Sequence, residues 1–459
     1  VEARCSALRP FANMRRPFLV VALQALAAAK QCDIRSYGAD KSADDNSKAI
    51  SAAIKDCLTD GEVVVPEGVF KSKPLTVASG QDFILTLSEG SSVQGVPRDS
   101  WPTSNGEYVT FLQLNDCKRC TIRGSGMFDG QGTPWYIDFD NGKISDHRPT
   151  WLVVSGGSDL KLLDFTLLNA PMFNMKLSGV AGAEVSGINI TSQWYDGDTK
   201  EPHNTDGIDP GDNSHDIWIH DVYIHNGDDF VAIKPGSEDG GCTSNILVEN
   251  SHFERGHGLS IGSVGKGCVK DVVFRNIKLS GQGTQNGCRI KSYSDQPGFV
   301  KNITWQNIEL TDTKTCITVN AEYKPTPKGA TNFIQVSDIN LINVTSKTCE
   351  HDAEFLCPSE APCRGIWLDD VKVSGGDGMI CQYAYGSAKN SMNSCLKSDG
   401  SPTPAPASPT PAPASPTPAP PSPTSAPAPP TSCDVDGCLA RCVDEYGGSV
   451  TGGDAYFCA

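Results

Sequence analysis

A nine-residue pattern recurs along the middle of the chain and restricts its fold more than any other feature. The copies run from Asp159 to Leu167, Gly182 to Ile190, Asp216 to Ile224, Asn245 to Phe253, Asp271 to Leu279, Asn302 to Leu310 and Phe333 to Leu341. Each alternates apolar and polar residues, breaks at a small or polar residue, then alternates again. Successive starts lie 23 to 34 residues apart, a solenoid period and not the rhythm of a sandwich or barrel. One such unit cannot bury its apolar face alone, whereas stacked units share a continuous core. Asp164, Asp221, Asn250, Asn276, Asn307 and Asp338 stand at the break, where turn-forming side chains that tolerate the left-handed conformation are expected. No run of two-residue Asn-Gly hairpin loops joins the strands, which argues against an antiparallel sandwich. The expected fold is all-β, a right-handed parallel β-helix. A helix is expected over Asn46 to Cys57, after Asp45, from the helical spacing of Ile50, Ala53, Ile54 and Cys57.

Stacking places polar clusters side by side. Asn204-Thr205-Asp206-Gly207, Asn226-Gly227-Asp228-Asp229, Gly256-His257-Gly258 and Arg289-Ile290-Lys291 each open onto, or lie in, an apolar β-like run. Rungs of a β-helix lie about 4.8 Å apart, so Asp206, then Asp228 and Asp229, then His257, then Arg289 and Lys291 come together from four consecutive rungs. The next rung opens at Cys316 and brings Tyr323 beside them. Three carboxylates this close cannot all ionise freely, so one holds its proton to higher pH. A protonated acid beside an ionised partner that activates water is what glycoside hydrolysis needs. Asp228 and Asp229 both enter the cleft only if the backbone bends, because neighbours on a regular strand face opposite ways. Arg289 and Lys291, two apart on a strand, share a face and suit a sugar carboxylate.

The chain divides into four parts. Residues 1–30 read as an export leader with upstream residues, Arg15-Arg16 preceding an apolar run and Ala27-Ala28-Ala29 suiting cleavage, and Met14 as the candidate start. Residues 31–396 form the catalytic body. Residues 397–432 are nearly all Pro, Ala, Ser and Thr, an extended spacer. Residues 433–459 carry four cysteines in a tail too small to stand without crosslinks. The 18 cysteines suit an oxidising compartment, and the odd count of 13 from Cys32 to Cys395 implies a free thiol or a bridge elsewhere. Cys117 and Cys120 alone are a weak zinc signal. Asn189, Asn302 and Asn343 head Asn-x-Thr acceptor sequences. The net charge of −16 argues against a nucleic-acid partner, and no apolar run is long enough to span a membrane. A secreted monomer is expected.

From Cys32 to Cys395 the sequence resembles the polygalacturonases of glycoside hydrolase family 28. The likeness rests on Asn204-Thr205-Asp206, Gly227-Asp228-Asp229, Gly256-His257-Gly258 followed by Leu259-Ser260-Ile261-Gly262-Ser263, and Arg289-Ile290-Lys291, in that order. The resemblance implies hydrolysis of α-1,4-galacturonosyl bonds of pectic polysaccharide with inversion, without cofactor or metal. It makes Asp228 the general acid and assigns water activation to Asp206 and Asp229. His257 supports the acid or the substrate, while Asn204, Arg289, Lys291 and Tyr323 bind substrate. Fungal endo-acting members of the family usually carry Gln before the two aspartates and a different residue after Asn-Thr-Asp, where this chain has Gly227 and Gly207. Ser36-Tyr37-Gly38-Ala39-Asp40 looks like the plant-type and exo-acting branches, and Cys363 to Cys395 like the endo branch. Endo attack is favoured slightly over exo. The rivals are a calcium-dependent pectate lyase, with the three aspartates as oxygen ligands, and a non-enzymatic wall-binding protein.

Overall fold

The computed structural model describes residues 30–398, apart from 145, 146, 238, 239, 282, 295, 325 and 328. The expected leader up to residue 29, the spacer beyond residue 398 and the four-cysteine tail lie outside the described residues.

The described body is a parallel β-helix. Each turn lends one strand to an eleven-stranded sheet in which every pairing is parallel. Its strands are β1 (Leu75–Ala78), β2 (Leu112–Asn115), β3 (Leu152–Ser155), β4 (Met175–Ser178), β5 (Ile208–Gly211), β6 (Val231–Ile233), β7 (Leu259–Val264), β8 (Thr284–Ser292), β9 (Thr313–Asn320), β10 (His351–Leu356) and β11 (Met379–Gln382). The rest of each turn pairs into a larger parallel sheet of twenty strands. The nine-residue copies lie in this second sheet. From Thr243 onward each copy sits within one long run: Thr243–Glu254, Gly267–Ser280, Gly298–Leu310 and Ile334–Ser346.

The alternation of the sequence becomes columns of side chains. Ile217, Ile246, Val272, Ile303, Ile339 and Ile366 stack in register across successive rungs and all are buried. Each contributes about 1.5–3 kcal/mol of burial, and β-branched neighbours above and below hold most of the column in register. The polar breaks stack too. Asn250, Asn276, Asn307 and Asn343 all have φ between 50° and 55°. The last three amides each donate to the preceding side-chain oxygen, at 3.1 Å for Asn276 to Asn250 and 2.9 Å for Asn307 to Asn276 and for Asn343 to Asn307. Asn302 donates in the same way to Asp271 at 2.7 Å. Two of the three Asn-x-Thr amides, Asn302 and Asn343, are therefore engaged in ladders, while Asn189 is exposed.

One copy needs correction. Ile303 pairs with Ile339 and Ile308 with Val344, so Asn302 and Asn307 correspond to Asp338 and Asn343. The last copy therefore starts at Asp338 and not at Phe333. Each rung has two left-handed residues five positions apart, and the sequence pattern matches almost as well when slipped from one onto the other.

The expected helix is α1 (Ser47–Asp56), which buries Ile50, Ala53 and Ile54. Asp45 accepts from the Ser47 amide at 2.9 Å. A second helix, α2 (Thr133–Asp140), was not foreseen. Trp135 and Tyr136 are buried while Ile137 is exposed, and the Tyr136 hydroxyl donates to the Ala170 carbonyl at 2.6 Å. Ten of the thirteen body cysteines pair: Cys32–Cys57, Cys242–Cys268, Cys316–Cys349, Cys357–Cys363 and Cys381–Cys395. The first three span 25, 26 and 33 residues, about one turn of the solenoid, so each ties neighbouring coils. Cys117, Cys120 and Cys288 are free and buried, and Cys288 stands in the inward column between Leu259 and Ile317.

Candidate active site

The outward face of the eleven-stranded sheet collects the polar clusters. Asp206 lies just before β5, Asp228 and Asp229 before β6, His257 before β7, and Arg289 and Lys291 within β8. Carboxylate oxygens of Asp206, Asp228 and Asp229 all lie within 4.8 Å of one another. The two neighbouring aspartates share the cleft because the chain is not yet strand there. Gly227 makes only an isolated bridge to His203, and β6 begins at Val231. Gly227 has no alternative at this point, because a Cβ would stand 2.6 Å from Pro202 Cδ.

Asp229 is the fixed centre. Its side chain is fully buried, and three donors hold it: Lys291 Nζ at 2.6 Å, Ser260 Oγ at 2.6 Å and Arg289 Nη1 at 3.2 Å. Burial works against ionisation, but the adjacent charges of Lys291 and Arg289 outweigh it and hold the carboxyl below its ordinary range. Asp206 is different. Burial, then the charges of Asp228 and Asp209, push its carboxyl well up, against the single opposing cation Lys234 at 3.2 Å.

Asp228 and His257 form a pair. Asp228 Oδ1 lies 3.2 Å from Nδ1 of His257, and the His257 amide donates to the Asp228 carbonyl at 2.7 Å. Burial opposes the charge on each, but their mutual hydrogen bond outweighs it. Asp228 is pulled below the usual carboxylate range, and His257 is pushed up to about 10. The proton therefore rests on His257, beside Asp228, while Asp206 is the carboxyl that favours the neutral form. The resemblance assigns the departing proton to Asp228 instead.

The substrate-binding candidates surround this core. Tyr323, just past β9 and partly exposed, places its hydroxyl 3.4 Å from Arg289 Nη2, and its ring stacks on Tyr293 with centroids 6.2 Å apart. Asn204, with φ of 58°, accepts from Arg148 Nη2 at 2.9 Å. Two buried amides lock the turns that carry Asp206 and the Asp228–Asp229 pair. Asn226 Nδ2 donates to the carbonyls of Thr205 and Asp229 at 2.8 and 3.0 Å, and Asn174 Nδ2 to those of Thr205 and Asp206 at 3.0 and 3.2 Å.

Sequence reasoning missed Lys234, Asp209, Ser260, Arg148 and Glu201. Lys234 had a readable signal. It stands three residues past Val231 as Lys291 stands three past Cys288, and both Val231 and Cys288 pair with Leu259. It therefore belongs to the outward column of Lys291. Among the described residues, the Cys117 and Cys120 pair gathers no further ligands. Among the described residues, the cluster of three or more potential metal ligands is Asp206, Asp228 and Asp229.

Comparison with known proteins bears on the family and on the fold. The family described as glycosyl hydrolases family 28 matches residues 58–395. A polygalacturonase of Prunus persica is 30% identical over 403 residues, covering 83% of this chain and 97% of its own length. An exopolygalacturonase of Zea mays is 30% identical over 385 residues, covering 80% of this chain and 89% of its own. Among solved structures, a polygalacturonase from Erwinia carotovora matches in fold with a TM-score of 0.65 at 24% identity, covering 79% of this chain and 97% of that one.

Proposed function

The chain belongs to glycosyl hydrolases family 28, and from that membership we propose that it is an exported polygalacturonase, cleaving α-1,4-galacturonosyl bonds within polygalacturonate chains with inversion. The observation that carries this is the pairing of two unlike carboxylates within 4.8 Å. Asp229 is held ionised by two cations, and Asp228 shares a proton with His257.

Asp228 gives a proton to the departing glycosidic oxygen, and the imidazolium of His257 restores it. Asp229 accepts the proton of the attacking water, with Asp206 on the neighbouring rung orienting that water. Arg289 and Lys291 bind the carboxylate of the sugar on the leaving side, and Tyr323 packs against it, with Asn204 at the opposite lip. Lys291, Arg289 and Lys234 already supply three positive charges to the aspartates. This supports a hydrolytic site over one that uses the aspartates as calcium ligands. The stretch from Cys363 to Cys395, which looks like the endo branch, supports attack within a chain.

A timed digest of polygalacturonate with added chelator tests the proposal, following viscosity, reducing ends and ultraviolet absorbance together. Reducing ends rising without absorbance, with an early fall in viscosity, is the expected result. Released monomer at unchanged viscosity makes the enzyme exo-acting, and absorbance that chelator abolishes makes it a lyase. Folded protein that yields no product leaves the wall-binding role.

A further inference from the structure

Glu201 lies outside every motif of the resemblance, yet it closes the far side of His257. Its Oε2 is 3.4 Å from His257 Nε2, while His257 Nδ1 faces Asp228 at 3.2 Å. The imidazole thus sits between two carboxylates, one at each ring nitrogen. The other oxygen of Glu201 is 3.2 Å from Nδ1 of His203. We propose that Glu201 is the positioning residue of proton transfer: it accepts from Nε2 of His257 and so keeps the Nδ1–H aimed at Asp228. This rests on the hydrolase reading above.

The loop that carries Glu201 is fastened to the loop that carries Asp228. Thr205 Oγ1 donates to the Pro202 carbonyl at 2.7 Å and accepts from the Gly227 amide at 3.0 Å. His203 pairs with Gly227 in a parallel bridge, and Pro202 packs where a side chain on residue 227 would stand. Glu201 and Asp228 are therefore placed by one unit of backbone, and the imidazole between them has little freedom. With a carboxylate at each nitrogen, rotation of the ring breaks both the Nε2 hydrogen bond to Glu201 and the Nδ1 ion pair with Asp228.

The proton count closes. The glycosidic C–O bond breaks with both electrons going to oxygen, which takes the proton of Asp228. His257 Nδ1–H passes to Asp228. The attacking water forms the new C–O bond and gives its proton to Asp229, and solvent then returns that proton to the pair. The charged groups facing the ring are Asp228 and Glu201, with Asp229 behind them and Arg289 on the His257 carbonyl at 3.4 Å. His203 stands beyond Glu201 and 3.7 Å from Asp140. Burial opposes ionisation of Glu201, but hydrogen bonds from His203 and His257 outweigh it and hold the carboxyl down at about 2. It is an anion at every working pH, so it raises the proton affinity of His257 throughout. Removing its charge lowers that affinity, and the alkaline limb of activity then moves to lower pH.

The test uses the full chain with Glu201→Gln and Glu201→Asp, each checked for wild-type circular dichroism. Glu201→Gln is expected to lower kcat by about tenfold or more with KM within about twofold. Its alkaline limb should fall by about one pH unit, and Glu201→Asp should recover part of both effects. In parallel, nuclear magnetic resonance of the free proteins follows the titration of the His257 ring, which should shift down in Glu201→Gln by the same amount. An unmoved ring titration in Glu201→Gln overturns the inference, whatever happens to kcat. Wild-type protein without activity on polygalacturonate would instead overturn the hydrolase reading, and the ring titration would still decide the role of Glu201. Should Glu201→Gln not fold, Glu201→Asp carries the test: a ring titration unchanged from wild type overturns the inference, and a partial fall supports it.

Discussion

Replacing Lys291 with Met removes one charge from a buried ion pair of the site and leaves the aliphatic volume in place. Lys291 Nζ lies 2.6 Å from an Asp229 carboxylate whose side chain has no exposed surface. At that distance, with an effective dielectric of about 20, the gross attraction is about 6 kcal/mol. Desolvation of the ammonium offsets part of it, and breaking a buried pair costs about 3–5 kcal/mol in practice. Arg289 and Ser260 still hold Asp229 in the variant, so the lower end applies, about 3 kcal/mol. With a urea dependence of about 3 kcal/mol per M for a body of this size, the midpoint falls by about 1 M. The sign with pH follows from Asp229, whose carboxyl is held low chiefly by Lys291 against the opposing effect of burial. Stability from a depressed carboxyl is complete above the ordinary Asp value of about 3.9 and lost as pH falls through the folded value. Urea unfolding followed by tryptophan fluorescence should therefore show the full loss at about pH 7 and a smaller one below about pH 4. A midpoint shift under about 0.2 M at neutral pH, or an equal loss at both pH values, would refute the reasoning.

Gly227→Ala pushes a methyl group against Pro202 Cδ and the Pro202 carbonyl, at 2.6 and 2.7 Å, so it displaces the Glu201 to His203 loop. We expect wild-type circular dichroism with kcat lowered about tenfold or more, by misplacement of the catalytic turn. Asn307→Ala puts an unfavourable residue at φ of 55° and cuts two ladder hydrogen bonds. It should cost about 1–2 kcal/mol in urea unfolding, and Asn307→Gly should cost less, because glycine takes the left-handed conformation freely. Tyr323→Ala removes a ring that packs near Arg289 and Lys291, 5.4 and 5.8 Å from its centroid. On polygalacturonate KM should rise about fivefold to tenfold with kcat held within about twofold, the mark of binding equal in ground and transition states.

The solenoid was legible because its physics is local and repeated: alternation writes the two faces, and Asn or Asp marks each left-handed break. The same repetition misled at the last copy, where Asp338 and Asn343 offer two breaks of the same chemistry five residues apart. Helix α2 left little trace, since Trp135, Tyr136, Ile137 and Phe139 do not gather on one helical face. That these polar side chains gather was legible for a similar reason, since Asp206, Asp228, Asp229, His257, Arg289 and Lys291 stand at like places on successive strands. Glu201 was not, because its approach to His257 spans 56 residues and depends on how a long turn folds back over the sheet. Arg148 and Asn204, also 56 apart, are another such case. The protonation states lay further out of reach. Nothing in a row of aspartates says that Asp229 receives two cations while Asp206 receives one, and that difference separates the ionised carboxyl from the one pushed toward neutrality.

The central claim is that Asp229 activates a water which displaces the leaving sugar in one step while Asp228 and His257 supply the proton. The most direct test is proton magnetic resonance of a polygalacturonate oligomer during the first minutes after enzyme is added, before the new reducing ends mutarotate. The account predicts that the β anomer appears first from the α linkage and that the α anomer grows in later. Initial release of the α anomer, or of an unsaturated sugar, would contradict it.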